Sequence, residues 1–495
     1  MKAKLTAALA GIACAAVALA TAQLAAAAIA PGSAPVAAIG AAFIDATPEP
    51  LKEFAIRAFG EYDKLVLLGG IALVLLVLAA VTGVLARRRV AVGYIVLALL
   101  GVAGAAAALT RPAAGPSWAL PSLVGAACGA LVLGVLLRER AAAPVPGRVV
   151  DRRGVLIALA GAGLAGAAGW RLSGTSDLES AREALRLPPP TDVGPAGTGL
   201  DVPGITPYLT PNSDFYRVDT ALVLPRVLPD DYRLKIGGRV ANPMELSYQD
   251  ILDRGLVERE ITISCVSNEV GGTLAGNARW LGAPLADLLA EARPEPGADQ
   301  VVSRSADGWT AGTPTRACTD GRDALIAVGM NGEPLPHQHG FPVRMIVPGL
   351  YGYVSATKWL VEIELSSFDD YDPYWVERDW AAQAPIKTFS RIDSPKPLGT
   401  IPAGPVAVAG VAWAQRRGIE LVEVRVDEGE WTEAELAPVI GPDTWRQWHL
   451  TWDAEPGRHK LEVRAADTED LQTEERQPPF PDGATGWHSV VVTAE

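Results

Sequence analysis

One thiol and its setting are the first residues with chemistry in them. Cys265 follows the run Ile261-Thr262-Ile263-Ser264 and opens the polar, glycine-ended stretch Val266-Ser267-Asn268-Glu269-Val270-Gly271-Gly272. A β-type run therefore delivers a lone thiol into a loop, and beyond the apolar N-terminal part of the chain the only other cysteine is Cys318. Such a thiol is inert core, a nucleophile or a metal ligand. A nucleophile needs an adjacent base. The five histidines, His337, His339, His449, His459 and His488, all lie far downstream. A soft, strongly electron-donating thiolate suits a soft transition metal.

A second group of residues narrows the choice. It is Met330-Asn331-Gly332-Glu333-Pro334-Leu335-Pro336-His337-Gln338-His339-Gly340-Phe341-Pro342-Val343-Arg344, then Val347-Pro348-Gly349, then Ala356-Thr357-Lys358-Trp359-Leu360. From about Pro203 to the C-terminus the chain resembles the molybdopterin-binding enzymes of the sulfite oxidase family, which includes plant nitrate reductase. The resemblance implies that Cys265 is the protein ligand to molybdenum, beside the dithiolene sulfurs of a pterin, and that Asn268 is the asparagine of the same loop. It places His339, Arg344 and Lys358, with Ala356 and Thr357 just before the lysine, at positions that hold the pterin. Asp307, in Ser305-Ala306-Asp307-Gly308-Trp309, matches a pterin-contacting aspartate. Phe215-Tyr216-Arg217 matches the segment whose arginine lies near molybdenum, so Arg217 joins Cys265 as a catalytic candidate. The pterin ends in a phosphate, which asks for cations and backbone donors. His337 and Cys318 are read as structural.

Departures from the family pattern bear on substrate. Sulfite oxidases carry an active-site tyrosine after W-x-x-R-D; here Trp375-Val376-Glu377-Arg378-Asp379 is followed by Trp380. Animal sulfite oxidases place a substrate-contacting arginine shortly before a late Trp-His pair; here Phe480 precedes Trp487-His488, with Arg476 the nearest basic residue. The family's asparagine-arginine after the cysteine is Asn268-Glu269. An anion pocket with less positive charge makes sulfite a poor substrate.

The elements that must position these groups divide by composition. Residues 1–171 carry a net charge of +8 and residues 172–495 a net of −21, giving the chain its −13. An acidic second part argues against nucleic acid as a partner. The first part is nearly all Ala, Leu, Val and Gly, with apolar spans at 5–30, 65–86, 90–110, 118–137 and 154–170. Three of these reach about 20 residues without a charge, enough to cross a bilayer; the last is shorter and Gly/Ala-rich. The first is either a cleaved signal peptide or a retained span, and its length favours retention. Basic residues at Lys2/Lys4, Arg87–Arg89 and Arg138–Arg153 alternate with less basic loops. The expected topology is an inside N-terminus, five crossings and an extracytoplasmic C-terminal region in the plasma membrane, in contact with membrane lipid. With no histidine in it, this part offers no bis-histidine haem site.

The fold class expected is multi-domain. It has an N-terminal all-α transmembrane bundle (1–171), a Pro/Gly-rich linker (172–202), an α+β molybdopterin-binding, sulfite oxidase-like domain (203–397) and an immunoglobulin-like β-sandwich (398–495). The sandwich is read from turn-separated strand-like runs, and resembles the family's dimerisation domain, so a homodimer is expected. Tyr232–Ile236 reads as a strand and Ala283–Ala292 as an amphipathic helix.

The function expected is a membrane-anchored molybdenum oxidoreductase performing two-electron oxygen-atom transfer on a small molecule, with sulfite-like oxidation as its form. The alternatives are a reductase of S-oxides or N-oxides and, in another class, a non-catalytic membrane scaffold. No haem, flavin or iron–sulfur signature is read in the chain, so electrons pass to a separate electron-transfer protein or a quinone-linked subunit. Paired arginines in Asp151-Arg152-Arg153-Gly154, ahead of a weakly apolar span, predict export of the folded domain by the twin-arginine translocase.

Overall fold

The computed structural model describes every residue except 1, 49–50, 52–53, 55–57, 60–61, 138–151 and 173–175. Most of the basic segment Arg138–Arg153 therefore lies outside the described residues. The chain forms two units: Met1–Asp177 with Thr220–Arg226, and Leu178–Asp219 with Val227–Glu495.

Apolar composition without breaks makes the first unit helical: Lys2–Ile29, Pro35–Ala46, Asp63–Ala86, Val90–Leu109, Leu120–Leu136 and Arg152–Leu172. Among the described residues, four segments, Lys4–Ile29, Lys64–Ala86, Val90–Leu109 and Pro116–Leu136, are long and apolar enough to span a bilayer. The helix Pro35–Ala46 is an element the periodicity reading missed. Small residues set the packing. A Cβ on Gly11 would sit 2.1 Å from the Ala79 carbonyl oxygen, and one on Gly125 would sit 2.4 Å from that of Ala18. The first helix therefore touches two others backbone to backbone, as close-packed membrane helices do. Its Ala7, Ala10 and Ala13 are fully buried.

In the second unit, alternation of apolar residues builds two sheets that share one core, and the first sheet also carries a second apolar cluster that includes Ile263, Trp280 and Phe341. One sheet runs Asp192–Val193, Val257–Ser264, Ala275–Pro284, Leu325–Met330, Arg344–Ile346, with Glu333–Pro334 paired to Leu325–Met330. The other runs Met244–Ser247, Arg233–Gly238, Leu360–Ser366, Gln300–Ser305, Thr310–Pro314. Residues 178–202, too rich in proline to build a core, belong to this unit: Leu178 is buried, and Asp192–Val193 pairs in parallel with Val257–Glu258. The amphipathic helix spans Leu285–Ala292, because Ala283 and Pro284 still belong to the preceding strand. Leu285, Leu288, Leu289 and Ala292 share its buried face, the i, i+3, i+4, i+7 pattern of a half-buried helix.

The C-terminal region is strand-rich. A four-stranded sheet (Phe389–Ser394, Gly404–Trp413, Arg446–Ala454, Glu435–Leu436) and a five-stranded one (Thr400–Ile401, His488–Ala494, Gly457–Asp467, Ile419–Val426, Thr432–Glu433) share a core that includes Val408, Val422, Trp448, Leu461, Val463 and Val492. The strand Phe389–Ser394, ahead of Leu398, is already paired into it.

Candidate active site

Cys265 is the first residue past the end of a strand. Val257–Ser264 and Ala275–Pro284 pair antiparallel down to Ser264 opposite Ala275, and residues 265–274 form the connection. The Cys265 amide donates to the Leu274 carbonyl at 2.9 Å and closes the loop. Asn268 braces it from inside: its Oδ1 accepts the Leu274 amide at 2.8 Å, while its Nδ2 is buried without a partner. The glycines are needed here. Gly271 has φ +79, and a Cβ there would lie 2.2 Å from the His488 ring. Burial pushes the Cys265 thiol up, opposed by hydrogen bonds from Ser267 and the charge of Lys358. A thiol in such a place is inert unless a cation takes its proton's position.

The strand beneath the loop is tied to the C-terminal sheets. Thr262 donates its amide to the Asp443 carbonyl at 2.9 Å, and its hydroxyl accepts the Trp445 amide at 2.7 Å. Its carbonyl accepts Gln415 Nε2 at 3.0 Å. The loop itself is held by Arg391, whose guanidinium donates to the Gly272 carbonyl at 2.6 Å, to Asp393 at 2.7 Å and to Thr206 Oγ1 at 3.0 Å. His488 Nδ1 accepts the Ile392 amide at 3.0 Å. Burial, with the Arg391 charge second, holds that imidazole down to about 4. Sequence reasoning missed Arg391 and this role of His488, since only long-range pairing brings them here.

The cationic residues gather on the neighbouring strands and loops. Arg344 is 4 % exposed; its guanidinium donates to the carbonyls of His339 at 3.0 Å and Ala356 at 3.3 Å and lies 4.9 Å over the Trp280 ring. It makes no ion pair among the described residues, and its Nε is buried without a partner. Burial lowers its pKa to about 10. Lys358 donates to Asp219 at 2.8 Å and to the Gln338 carbonyl at 3.3 Å, and burial brings it down to about 8. His339 Nε2 donates to the Asn212 carbonyl at 3.0 Å, which fixes the proton on that nitrogen. Burial, with the charges of Arg344, Lys358 and Arg217 also acting, holds His339 neutral down to about 4. Phe215 stacks on Tyr216 and meets Trp280 and His339 edge-on. A Cβ on Gly276 would enter the Phe215 ring at 2.7 Å, so a glycine seats it. Tyr216 is pushed up by burial, with smaller electrostatic effects from Cys265 and Arg344.

Other candidates have different surroundings. Arg217 is 40 % exposed and pairs with Asp219 at 3.0 Å. Thr357 spends its hydroxyl on Ser303 at 2.6 Å, and its carbonyl accepts the Met345 amide. Ala356 contributes its carbonyl to Arg344. Asp307 accepts the Trp309 amide at 3.1 Å within its turn, and the turn is joined to the site's edge by the Ala306 amide bonding the Trp359 carbonyl at 2.8 Å.

Trp380 and Phe480, two of the three departures from the family pattern, meet edge-to-face at 5.3 Å. Trp375 and Tyr353 pack on Trp380, whose Nε1 is buried without a partner. The following loop packs on Tyr351, where a Cβ on Gly483 would come within 2.5 Å of the hydroxyl oxygen. Burial above all pushes the Tyr351 hydroxyl up.

A buried thiol, a buried unpaired guanidinium and a second buried cation define a site for a soft metal on an anionic organic carrier. Residues 221–375 match the family model described as oxidoreductase molybdopterin binding domain. Rat mitochondrial sulfite oxidase is 31% identical over 293 residues, covering 49% of this chain and 53% of that protein. Chicken sulfite oxidase is 30% identical over 307 residues, covering 52% and 65%. Among solved structures, the sulfane dehydrogenase SoxCD from Paracoccus pantotrophus shares the fold at TM-score 0.51 and 23% identity, covering 58% of this chain and 84% of that one. The chain spans about half to two thirds of the length of these curated relatives. Residues 221–375 therefore make a molybdopterin-binding oxidoreductase domain, and the chain is similar to sulfite oxidases over about half of its length.

The residues present fit the cofactor. Orphaned donors at Arg344 Nε and Asn268 Nδ2 need an acceptor, and a buried arginine without a carboxylate needs an anion.

Proposed function

We propose that the chain is a membrane-anchored molybdenum enzyme that catalyses two-electron oxygen-atom transfer on a small uncharged or weakly anionic substrate outside the cytoplasm. The observation that carries this is Arg344: a buried, carboxylate-free guanidinium with an orphaned Nε, in the same domain as the buried Cys265 thiol. Cys265 would ligate molybdenum; Arg344, Lys358 and neutral His339 would hold the pterin and its phosphate, with Asn268 and Asp307 at the loop edges. The bound group supplies the redox chemistry, and the protein supplies position and charge. Lys358, already lowered by burial, would offset the negative charge of the thiolate.

The cluster of Trp380, Phe480, Trp375 and Tyr353 supports a second reading, reduction of S-oxides or N-oxides such as oxidised methionine. An aromatic wall with one orphaned indole donor suits a thioether and its single oxygen better than a dianion. The C-terminal sheets support an immunoglobulin-like, dimerisation-type domain. The apolar helices support anchoring in the plasma membrane, with a separate electron-transfer partner and twin-arginine export of the loaded domain.

The test is metal analysis with pterin fluorescence on purified chain, beside Cys265→Ser. The parent is expected to hold molybdenum and pterin, and the variant to keep pterin and lose turnover. Full activity of Cys265→Ser, or a parent without molybdenum, refutes the reading.

A further inference from the structure

One side chain ahead of the matched residues 221–375 is bonded into the run that holds the pterin candidates. It stands on helix Ser176–Ala184, which from Leu178 on belongs to the second unit. Isolated helices shorter than roughly 12–15 residues are marginal in water, so contacts must hold this one. Two residues four apart, and so on one face, make them. Leu178 is 1% exposed and joins Phe215, Trp280, Leu335 and Phe341 in one cluster. Arg182 donates from Nε to the carbonyls of Leu335 at 3.0 Å and Pro334 at 3.2 Å, and its Nη2 pairs with Glu333 at 2.8 Å.

The bonds continue from there to an imidazole. Glu333 Oε1 accepts Asn212 Nδ2 at 2.6 Å, Asn212 Oδ1 accepts Asn331 Nδ2 at 2.9 Å, and the Asn212 carbonyl accepts His339 Nε2 at 3.0 Å. An apolar route runs beside this one, since Phe215 shares the Leu178 cluster and meets His339 edge-on at 5.6 Å. The Glu333 side chain is 48% exposed. Without the guanidinium its carboxylate is free to turn to water, and Asn212 loses a charged acceptor, the stronger kind. A half-exposed ion pair contributes little to stability, so the worth of this one lies in where it holds Asn212. We propose that Arg182 is a positioning residue of the molybdopterin site: through Glu333 and Asn212 it holds the carbonyl that fixes the tautomer and orientation of His339. The proposal rests on the reading of His339 as a pterin-holding residue.

The test uses the full chain, purified in detergent with its cofactor and carrying 15N-labelled histidine. Ring nitrogen shifts report the tautomer, and the His339 signal is assigned by its loss in His339→Gln. Arg182→Met keeps most of the aliphatic stem and removes the guanidinium. Glu333→Gln keeps an acceptor for Asn212 and removes the charge. The parent is expected to show His339 as a single neutral form protonated on Nε2. Arg182→Met should show both tautomers of His339, leave the signals of His449, His459 and His488 unchanged, and release pterin roughly three- to tenfold faster, the worth of one neutral hydrogen bond. Arg182→Lys, which keeps a charge opposite Glu333, should restore most of the retention. Because Arg182 acts through Glu333, the double variant Arg182→Met with Glu333→Gln should be no worse than Arg182→Met alone. An unchanged His339 signal, pterin retention equal to the parent's, or a double variant that multiplies the two single effects overturns the proposal. If Arg182→Met does not fold, Glu333→Gln decides it by the same two readouts. A parent without pterin sinks the proposed function; a parent that holds pterin beside variants that hold it equally well sinks only this inference.

Discussion

Replacing Arg391 with methionine tests whether the C-terminal sheets hold the Cys265 loop in place. Arg391 and Asp393 are each 6% exposed and paired at 2.7 Å. Methionine keeps most of the aliphatic stem, so packing changes little. Asp393 then retains the Thr206 amide at 3.1 Å as its remaining hydrogen-bond donor, and the Gly272 carbonyl loses its 2.6 Å donor. Removing one partner of a buried ion pair costs about 3–5 kcal/mol, because the other charge stays buried. At roughly 2–4 °C per kcal/mol for a domain of 150–250 residues, the melting midpoint should fall by roughly 6–20 °C, toward the lower end in a larger unit. The cost lies in the stranded charge, so Arg391→Met with Asp393→Asn should recover at least about 2 kcal/mol. Thermal and urea unfolding followed by tryptophan fluorescence measure both variants, and molybdenum content reports on the loop. A loss under about 1 kcal/mol in the single variant, or a double variant no better than the single, refutes this account.

Trp380→Tyr combined with Phe480→Arg should raise kcat/KM for sulfite; one charge-assisted contact worth roughly 1.5–3 kcal/mol gives about one to two decades, and an unchanged efficiency would show that these positions do not face substrate. His488 is held from its ordinary 6.5 down to about 4, so below pH 6.5 the unfolded chain takes a proton that the native one refuses. Its contribution is complete above that pH and fades, by on the order of 3 kcal/mol, as pH falls to about 4. His488→Asn keeps an acceptor for the Ile392 amide and should flatten the stability profile across that window; an unaltered slope contradicts the assignment. Replacing Arg152 and Arg153 together by lysine keeps charge but removes guanidinium recognition, and should stop export of a molybdenum-loaded domain; export equal to the parent shows that charge orientation is enough.

Much of the site was legible because its signals are local. The run from Met330 to Arg344 carries its chemistry in consecutive residues, and Cys265 stands where a β-run meets a glycine-rich loop. The apolar spans were legible for the same reason: length and absence of charge are properties of a segment alone. Other parts depended on partners far away in sequence. Nothing near Arg391 says that its guanidinium reaches Gly272, and nothing in Trp487-His488 says that the ring rests against Gly271. Asn268 was read as a match to a family loop, and its Oδ1 is occupied bracing that loop, a use that only the hairpin's closure reveals. Asp307-Gly308 has the same spelling whether it contacts a ligand or turns a chain. The proline-rich run before Pro203 looked unable to pack because it has no core of its own, yet edge hydrogen bonds need none.

The bonds from Thr262 to Asp443, Trp445 and Gln415, and from Gly272 to Arg391, also impose an order in time. On the ribosome the loop that carries Cys265 is made long before the strand His488–Ala494 that packs on it. Until Arg391 is made the loop lacks the guanidinium that fixes Gly272, and until His488 follows it lacks the ring that rests against Gly271. The loop around the Cys265 thiol therefore takes its folded form only after the C-terminal sheets are made, and a pause or nick in those sheets acts on the loop as surely as a change beside it.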